Sequence, residues 1–142
     1  MEFRIMVVDG QGGGIGSTII SKIRKEIGED VTIYALGTNS IATAQMMKAG
    51  ANRGATGESA FVYVSKKVDV IIGTISIVMP YSMMGELTPK MAEAICTSDA
   101  LKILLPLTQE NVRIVGDPGE PLPHQVDEAI KIIKEEVKKK NV

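Results

Sequence analysis

The sequence predicts an α/β fold, a three-layer Rossmann-like domain with a mainly parallel sheet of five or six strands, and three observations carry that expectation. Short runs rich in Val, Ile and Leu alternate along the chain with segments of helical periodicity, the pattern left by right-handed β-α-β crossovers. The run Val68-Asp69-Val70-Ile71-Ile72-Gly73 is largely apolar, as a central parallel strand covered on both faces must be. The stretch Phe3 to Val8 leads straight into Asp9-Gly10-Gln11-Gly12-Gly13-Gly14-Ile15-Gly16, which reads as strand, glycine turn and helix start. The 142 residues fit one domain over 1–142, since domains cluster at roughly 100–150 residues.

Each element follows from local chemistry. After the glycine turn, Ile15, Ile19, Ile23 and Ile27 recur every four residues while Lys22, Arg24, Lys25 and Glu26 fill the other face, so an amphipathic helix is expected there, stopped by Gly28. Val31 to Leu36 is a strand ending at Gly37, and Ser40 to Ala49 is a packed helix closed by Gly50. A short third strand is expected at Arg53-Gly54-Ala55 and a helix from Glu58 to Lys67. Thr74 to Glu86, with Pro80, Tyr81 and Met83-Met84, fits neither period cleanly. Thr88 is then a good N-cap and Pro89 a first-turn proline for a helix over Lys90 to Thr97. Leu101 to Leu107 is the next strand, Val112 to Val115 a short last one, and Asp117 to Pro121 a loop. The final helix, Pro123 to Lys140, lines up Val126, Ile130, Ile133 and Val137 on one face. Its acids Asp127 and Glu128 and its terminal lysines complement the helix dipole.

Composition narrows the function. Sixteen basic and seventeen acidic residues give a net charge of −1, without the basic patch of a nucleic-acid binder, and two Phe, three Tyr and no Trp leave little for stacking on bases. No apolar run approaches the roughly 20 residues that span a bilayer, and no signal peptide is evident, so a cytoplasmic protein is expected. The lone Cys96 makes neither an internal disulfide nor a Cys-rich metal site and is expected to be a small buried residue. His124 has no partner imidazole, and no metal site is expected. No Ser or Cys has a credible nearby His for nucleophilic catalysis.

The glycine turn is where a phosphate is expected. Backbone amides bare of side chains approach an anion closely, and the first helical turn adds unpaired N–H groups and its positive dipole end. The candidate site is therefore Asp9, Gly10, Gln11, Gly12, Gly13, Gly14, Ile15 and Gly16, joined at the same sheet edge by Gly37, Thr38 and Asn39 near the sugar or base, and by Thr74. Asp9 has two readings: a ligand-binding carboxylate, or an acceptor for the loop amides of Gln11 to Gly13 that fixes the turn, which is favoured because a carboxylate repels a phosphate. The apolar loop Val78 to Gly85 is read as a lid, an oligomer contact or a core-facing turn. Glu58 or Tyr81 pointing into the pocket would favour an enzyme.

Gly10, Gly14 and Gly16 match the spacing G-x-x-x-G-x-G and resemble the turn of short-chain dehydrogenase/reductases over about ten residues. That resemblance implies a dinucleotide, NAD(P), as a possible cofactor. The acid usually found about 20 residues beyond the turn is missing, replaced by Gly37-Thr38-Asn39, an environment suited to a phosphorylated ribose if Arg53 stands near. Tyr63 and Lys67 reproduce the family's Tyr-x-x-x-Lys spacing but fall on the wrong helix, so an exposed helix face is expected. A P-loop is excluded by the absence of a lysine before Ser17-Thr18. The whole chain resembles a family of short bacterial proteins of unknown function marked by Asp-Gly-Gln-Gly-Gly-Gly, here residues 9–14, with further likeness at Ala35 to Asn39, Gly54 to Glu58 and Met91 to Ile95. It implies a nucleotide-binding-like domain and no reaction. Two functions remain open: a domain, expected to close its pocket as a homodimer, that binds a small phosphate-containing ligand, a nucleotide or dinucleotide, through the Gly10–Gly16 turn, and a non-enzymatic regulatory or protein-interaction module sensing a small anionic metabolite.

Overall fold

The computed structural model describes residues 2–141. Strands β1 (Phe3–Asp9), β2 (Val31–Gly37), β3 (Arg53–Thr56), β4 (Val70–Thr74) and β5 (Leu101–Leu105) form one all-parallel sheet in the order β3-β2-β1-β4-β5. The central pairing runs the full length of β1, from Phe3 opposite Val31 to Asp9 opposite Gly37. Side chains alternate across a strand, so β1 sends Ile5 and Val7 to one core and Met6 and Val8 to the other.

Helices α1 (Gly14–Glu26), α2 (Ser40–Lys48) and α5 (Leu122–Asn141) supply Ile19, Ile20, Ile23, Met46, Val126, Ala129, Ile130 and Ile133 to the first core. Helices α3 (Glu58–Val64) and α4 (Pro89–Thr97) supply Phe61, Met91, Ala92 and Ile95 to the second. The result is three layers, α/β/α. A right-handed crossover puts its helix on a side set by the direction of travel along the sheet, so the helices change sides where the chain jumps from β3 back across to β4. The gap between the carboxyl ends of β1 and β4 is thus the switch point where open α/β sheets bind ligands.

Helix ends obey local chemistry. Gly28, at φ +81°, follows α1, as a left-handed stop position requires. Asn39 caps α2 by accepting the Ala42 N–H at 2.8 Å. Thr88 caps α4 by accepting the Met91 N–H at 3.2 Å, with Pro89 in the first turn as expected.

Three expectations are corrected. Val112 to Val115 forms no strand; it lies in the loop after β5, with Val112 41 % and Val115 101 % exposed, and strand propensity has no effect without an edge to pair with. The sheet therefore has five strands. Helix α3 stops at Val64 rather than Lys67, closed by a turn in which the Lys67 N–H donates to the Val64 carbonyl at 2.9 Å. Cys96 is exposed, because α4 turns Met91, Ala92 and Ile95 inward and leaves position 96 on the outer face.

Candidate functional site

The turn between β1 and α1 is built around Asp9. Its carboxylate, 9 % exposed, accepts the Gly10 N–H at 2.8 Å and the Gly16 N–H at 2.7 Å. The turn-fixing role expected for it is thus present, although its donors are Gly10 and Gly16 rather than the amides of Gln11 to Gly13. An anion of the protein's own already satisfies part of the helix start. Burial raises the Asp9 pKa, opposed by the amides of Gly16, Gly10 and Ile15, and the nearby Glu86 charge pushes it up further.

The glycines divide into two groups. A Cβ on Gly10 would collide with Thr38 Oγ1 and Met83 Sδ, and one on Gly16 would meet Met46 and Asp9. Gly13 has φ +72° and would place a Cβ 2.9 Å from the Ala42 backbone. Packing and backbone geometry account for these three. At Gly12 and Gly14 a Cβ would meet nothing within 4 Å, and neither has a positive φ. Among the described residues, their N–H groups also have no acceptor. The fold itself gives no reason for glycine at these two positions.

A second carboxylate comes from a segment the sequence left undefined. After β4 the chain makes a single 3₁₀ turn, Ile75–Val78, and then a strap over Met79 to Leu87. The strap is tied internally by Tyr81 N–H to the Leu87 carbonyl at 2.7 Å, and to the 3₁₀ turn by Ser82 Oγ donating to the Ser76 carbonyl at 2.6 Å. Tyr81, Met83 and Met84 all lie at left-handed φ, between 56° and 68°, a conformation that is costly without glycine. The strap carries Glu86 to the tip of β2. There Glu86 Oε1 accepts the Thr38 hydroxyl at 2.6 Å, the Asn39 side-chain amide at 3.0 Å and the Gln11 N–H at 2.9 Å. Partial burial pushes the Glu86 pKa up, but these donors outweigh it and hold the carboxyl below its ordinary value.

Between the strap and the loop after β5 lies a cleft of about 180 Å³. Asp9, Gly10, Gln11 and Ile15 form one wall, Thr74, Ser76, Met83 and Met84 another, and Leu107 to Glu110 the third. Thr108 is held against Ser76 by a 2.7 Å hydroxyl contact. The structure thus brings together five of the expected site residues, Asp9, Gly10, Gln11, Ile15 and Thr74. Gly12, Gly13, Gly14 and Gly16 lie on the adjoining turn and do not line the cleft. Gly37, Thr38 and Asn39 are also outside it: Gly37 is packed against Thr43, and Thr38 and Asn39 are engaged by Glu86. Neither Glu58, whose carboxylate accepts the Thr88 hydroxyl at 2.7 Å, nor Tyr81, which is 69 % exposed, lines the cleft.

Tyr63 on α3 and Lys67 in the turn after it are both exposed, the lysine 4.6 Å from the ring centroid, and neither lines the cleft; with Lys67 outside the helix the pair forms no helix face. Chemically, the cleft offers the hydroxyls of Thr74, Ser76 and Thr108 and the carboxyl groups of Asp9 and Glu110.

No curated protein matches the chain. Among solved structures, a dodecameric FMN-dependent UbiX-like decarboxylase from Escherichia coli O157:H7 is similar at 10 % identity and a TM-score of 0.45, over 97 % of this chain and 94 % of that one. Among the described residues no helix is long and apolar enough to cross a membrane. A family model for a domain of unknown function (DUF3842) matches residues 4–138, and the chain belongs to that family.

Proposed function

We propose that this domain binds a nucleotide phosphate on the amides of Gly12 and Gly14, beside the cleft. The observation that supports the reading is the pair of glycines without a structural cause. Two free N–H groups, open space where side chains would stand, and the positive end of a 13-residue helix meet at one spot, and that combination suits an anion brought close to backbone. Asp9 occupies the inner amides of the turn, so the phosphate would sit on the outer ones.

With the strap in place the cleft takes only a small part of a ligand. A cleft of about 180 Å³ is smaller than the roughly 300–1,000 Å³ of drug-sized sites. A whole NAD(P) dinucleotide would need the strap to move. Thr74, Ser76 and Thr108 would hold any polar group that extends from the phosphate into the cleft.

The test is thermal denaturation of the purified protein against inorganic phosphate, ATP and GTP with and without Mg²⁺, NAD(H), NADP(H) and coenzyme A. A ligand at 100 times its dissociation constant adds about 2.7 kcal/mol, a shift of a few degrees for a domain of this size. The shift should vanish in the double variant Gly12→Val, Gly14→Val. Absence of any shift in the native protein would remove the phosphate reading. It would favour instead a regulatory module that acts through contacts, for which the exposed Met84 and Tyr81 beside the cleft are the supporting observation. A homodimer through that apolar rim would be seen by sedimentation.

A further inference from the structure

The acid that a dinucleotide-type fold places at the end of its second strand is missing from the local sequence, where Gly37-Thr38-Asn39 stands instead. In space the position is filled. Glu86, 47 to 49 residues further along the chain, is drawn to the tip of β2 by donors from both sides of the β1–β2 edge, Gln11 on the glycine turn and Thr38 and Asn39 beyond β2. All three bonds go to Oε1; Oε2 has no partner among the described residues, and the residue is half-buried and reachable.

We infer that Glu86 is the sugar-recognising residue of the site, its carboxylate accepting the vicinal hydroxyls of an unphosphorylated ribose and excluding a 2′-phosphorylated one. The inference rests on the nucleotide reading above. Three features support it. Glu86 is bonded to the N–H of Gln11, the residue next to Gly12, so a phosphate on Gly12 and Gly14 has the carboxylate as its neighbour on the β2 side. Three donors on one oxygen fix the group in place and leave the second oxygen free, and a hydroxyl binding a carboxylate is charge-assisted. A second phosphate on the ribose would meet this carboxylate directly and be repelled. The placement also reverses the expectation that this end of β2 lacks negative charge and suits a phosphorylated ribose beside Arg53.

A diol is a better fit than a metal ion. Both Asp9 oxygens are taken by backbone amides, and no cluster of three His, Cys, Asp or Glu side chains suited to a cation occurs among the described residues.

The experiment is calorimetric titration with adenosine 5′-monophosphate, its 2′,3′-dideoxy analogue, adenosine 2′,5′-bisphosphate and inorganic phosphate, for the native protein and for Glu86→Gln. Glutamine keeps an oxygen for Gln11, Thr38 and Asn39, so the strap stays tied. The native protein should bind the monophosphate at least about tenfold more tightly than either analogue, as expected when a hydrogen bond to a charged group is lost. Glu86→Gln should narrow both gaps while phosphate affinity holds or rises. Equal native affinity for the monophosphate and the dideoxy compound would overturn the role of Glu86 and leave the phosphate site standing. Discrimination that persists in Glu86→Gln would do the same. If neither the nucleotides nor phosphate bind the native protein, both readings fall together.

Discussion

Asp9 and Glu86 share one edge of the sheet, yet their surroundings push their proton affinities apart: burial raises Asp9, and donated hydrogen bonds lower Glu86. The two should therefore leave opposite marks on stability. A raised folded-state value means that Asp9 contributes stability fully present below its unfolded pKa of about 3.9 and lost as pH rises through the folded value. The stability of the native protein relative to Asp9→Asn should then fall with rising pH, no more steeply than about 1.4 kcal/mol per pH unit. Glu86, held low, contributes stability present above its unfolded pKa and lost as pH falls through the folded value, so the native protein relative to Glu86→Gln should gain stability with pH. Urea denaturation between pH 3.5 and 7 reads both slopes, and two slopes of the same sign would refute this electrostatic picture. The glycines give a second contrast. Gly14→Ala removes backbone entropy from the unfolded chain without meeting any atom, and should stabilise the unliganded protein by about 0.4–1 kcal/mol. Gly13→Ala forces a side chain into left-handed backbone against Ala42 and should cost at least about 1–2 kcal/mol. If Gly14→Ala lowered the melting temperature as much as Gly13→Ala, the open face of the turn would be structural after all.

At the level of elements, α4 hangs from one residue. Thr88 accepts the Met91 N–H and donates to Glu58 Oε2, tying the start of α4 to the start of α3. Thr88→Ala should cost about 1 kcal/mol, the usual worth of an N-cap, read as a lower denaturation midpoint with an unchanged slope. The strap is the other element held by few contacts. Glu86→Ala removes its attachment to the β2 tip, so hydrogen exchange at Glu86 and Leu87 should speed up while that of β1 and β4 stays slow. These two elements also show what the sequence could and could not reveal. The Thr88-Pro89 start was legible because capping is local chemistry within four residues. The strap was not, because Tyr81, Met83 and Met84 adopt a backbone region that their side chains disfavour, and the bonds that carry its end to the site go to residues far along the chain. For the same reason, the glycine turn and Asp9 are legible as site residues, whereas nothing local marks Glu86, which reaches the site through bonds to residues 47 to 75 positions away. Val112 to Val115 failed as a strand from the opposite cause: a local preference with no partner in space.

Over the whole molecule, the two ends of the sheet carry different tasks. The carboxyl end gathers Asp9, Thr74, Glu86 and the glycine turn, with left-handed backbone at Gln11, Tyr81, Met83 and Met84 and, among the described residues, unpaired amides at Gly12 and Gly14. The amino end is closed by a clamp. Asp69, just before β4, accepts the Arg4 N–H of β1 at 2.8 Å, and both of its carboxylate oxygens accept from Lys140 Nζ, at 2.9 and 3.0 Å, while the same lysine donates to the Glu2 carbonyl at 2.7 Å. The last turn of α5 is thereby fixed to β1 and to the approach to β4. Both partners of the ion pair are nearly three-quarters buried, with side-chain exposures of 28 % and 29 %, so the pair is screened less than a surface one. Asp69→Ala leaves the Arg4 amide without its acceptor and the Lys140 ammonium with the Glu2 carbonyl alone, and should lower stability by about 2–3 kcal/mol. Because the clamp and the cleft stand at opposite ends of the strands, the loss should not reach the ligand. Under conditions where the variant stays folded, its affinity for the nucleotide that shifts the native protein should be unchanged. A binding defect that accompanies the loss of stability would mean that the clamp sets the register of β1 against β4, and through it the geometry of the switch point.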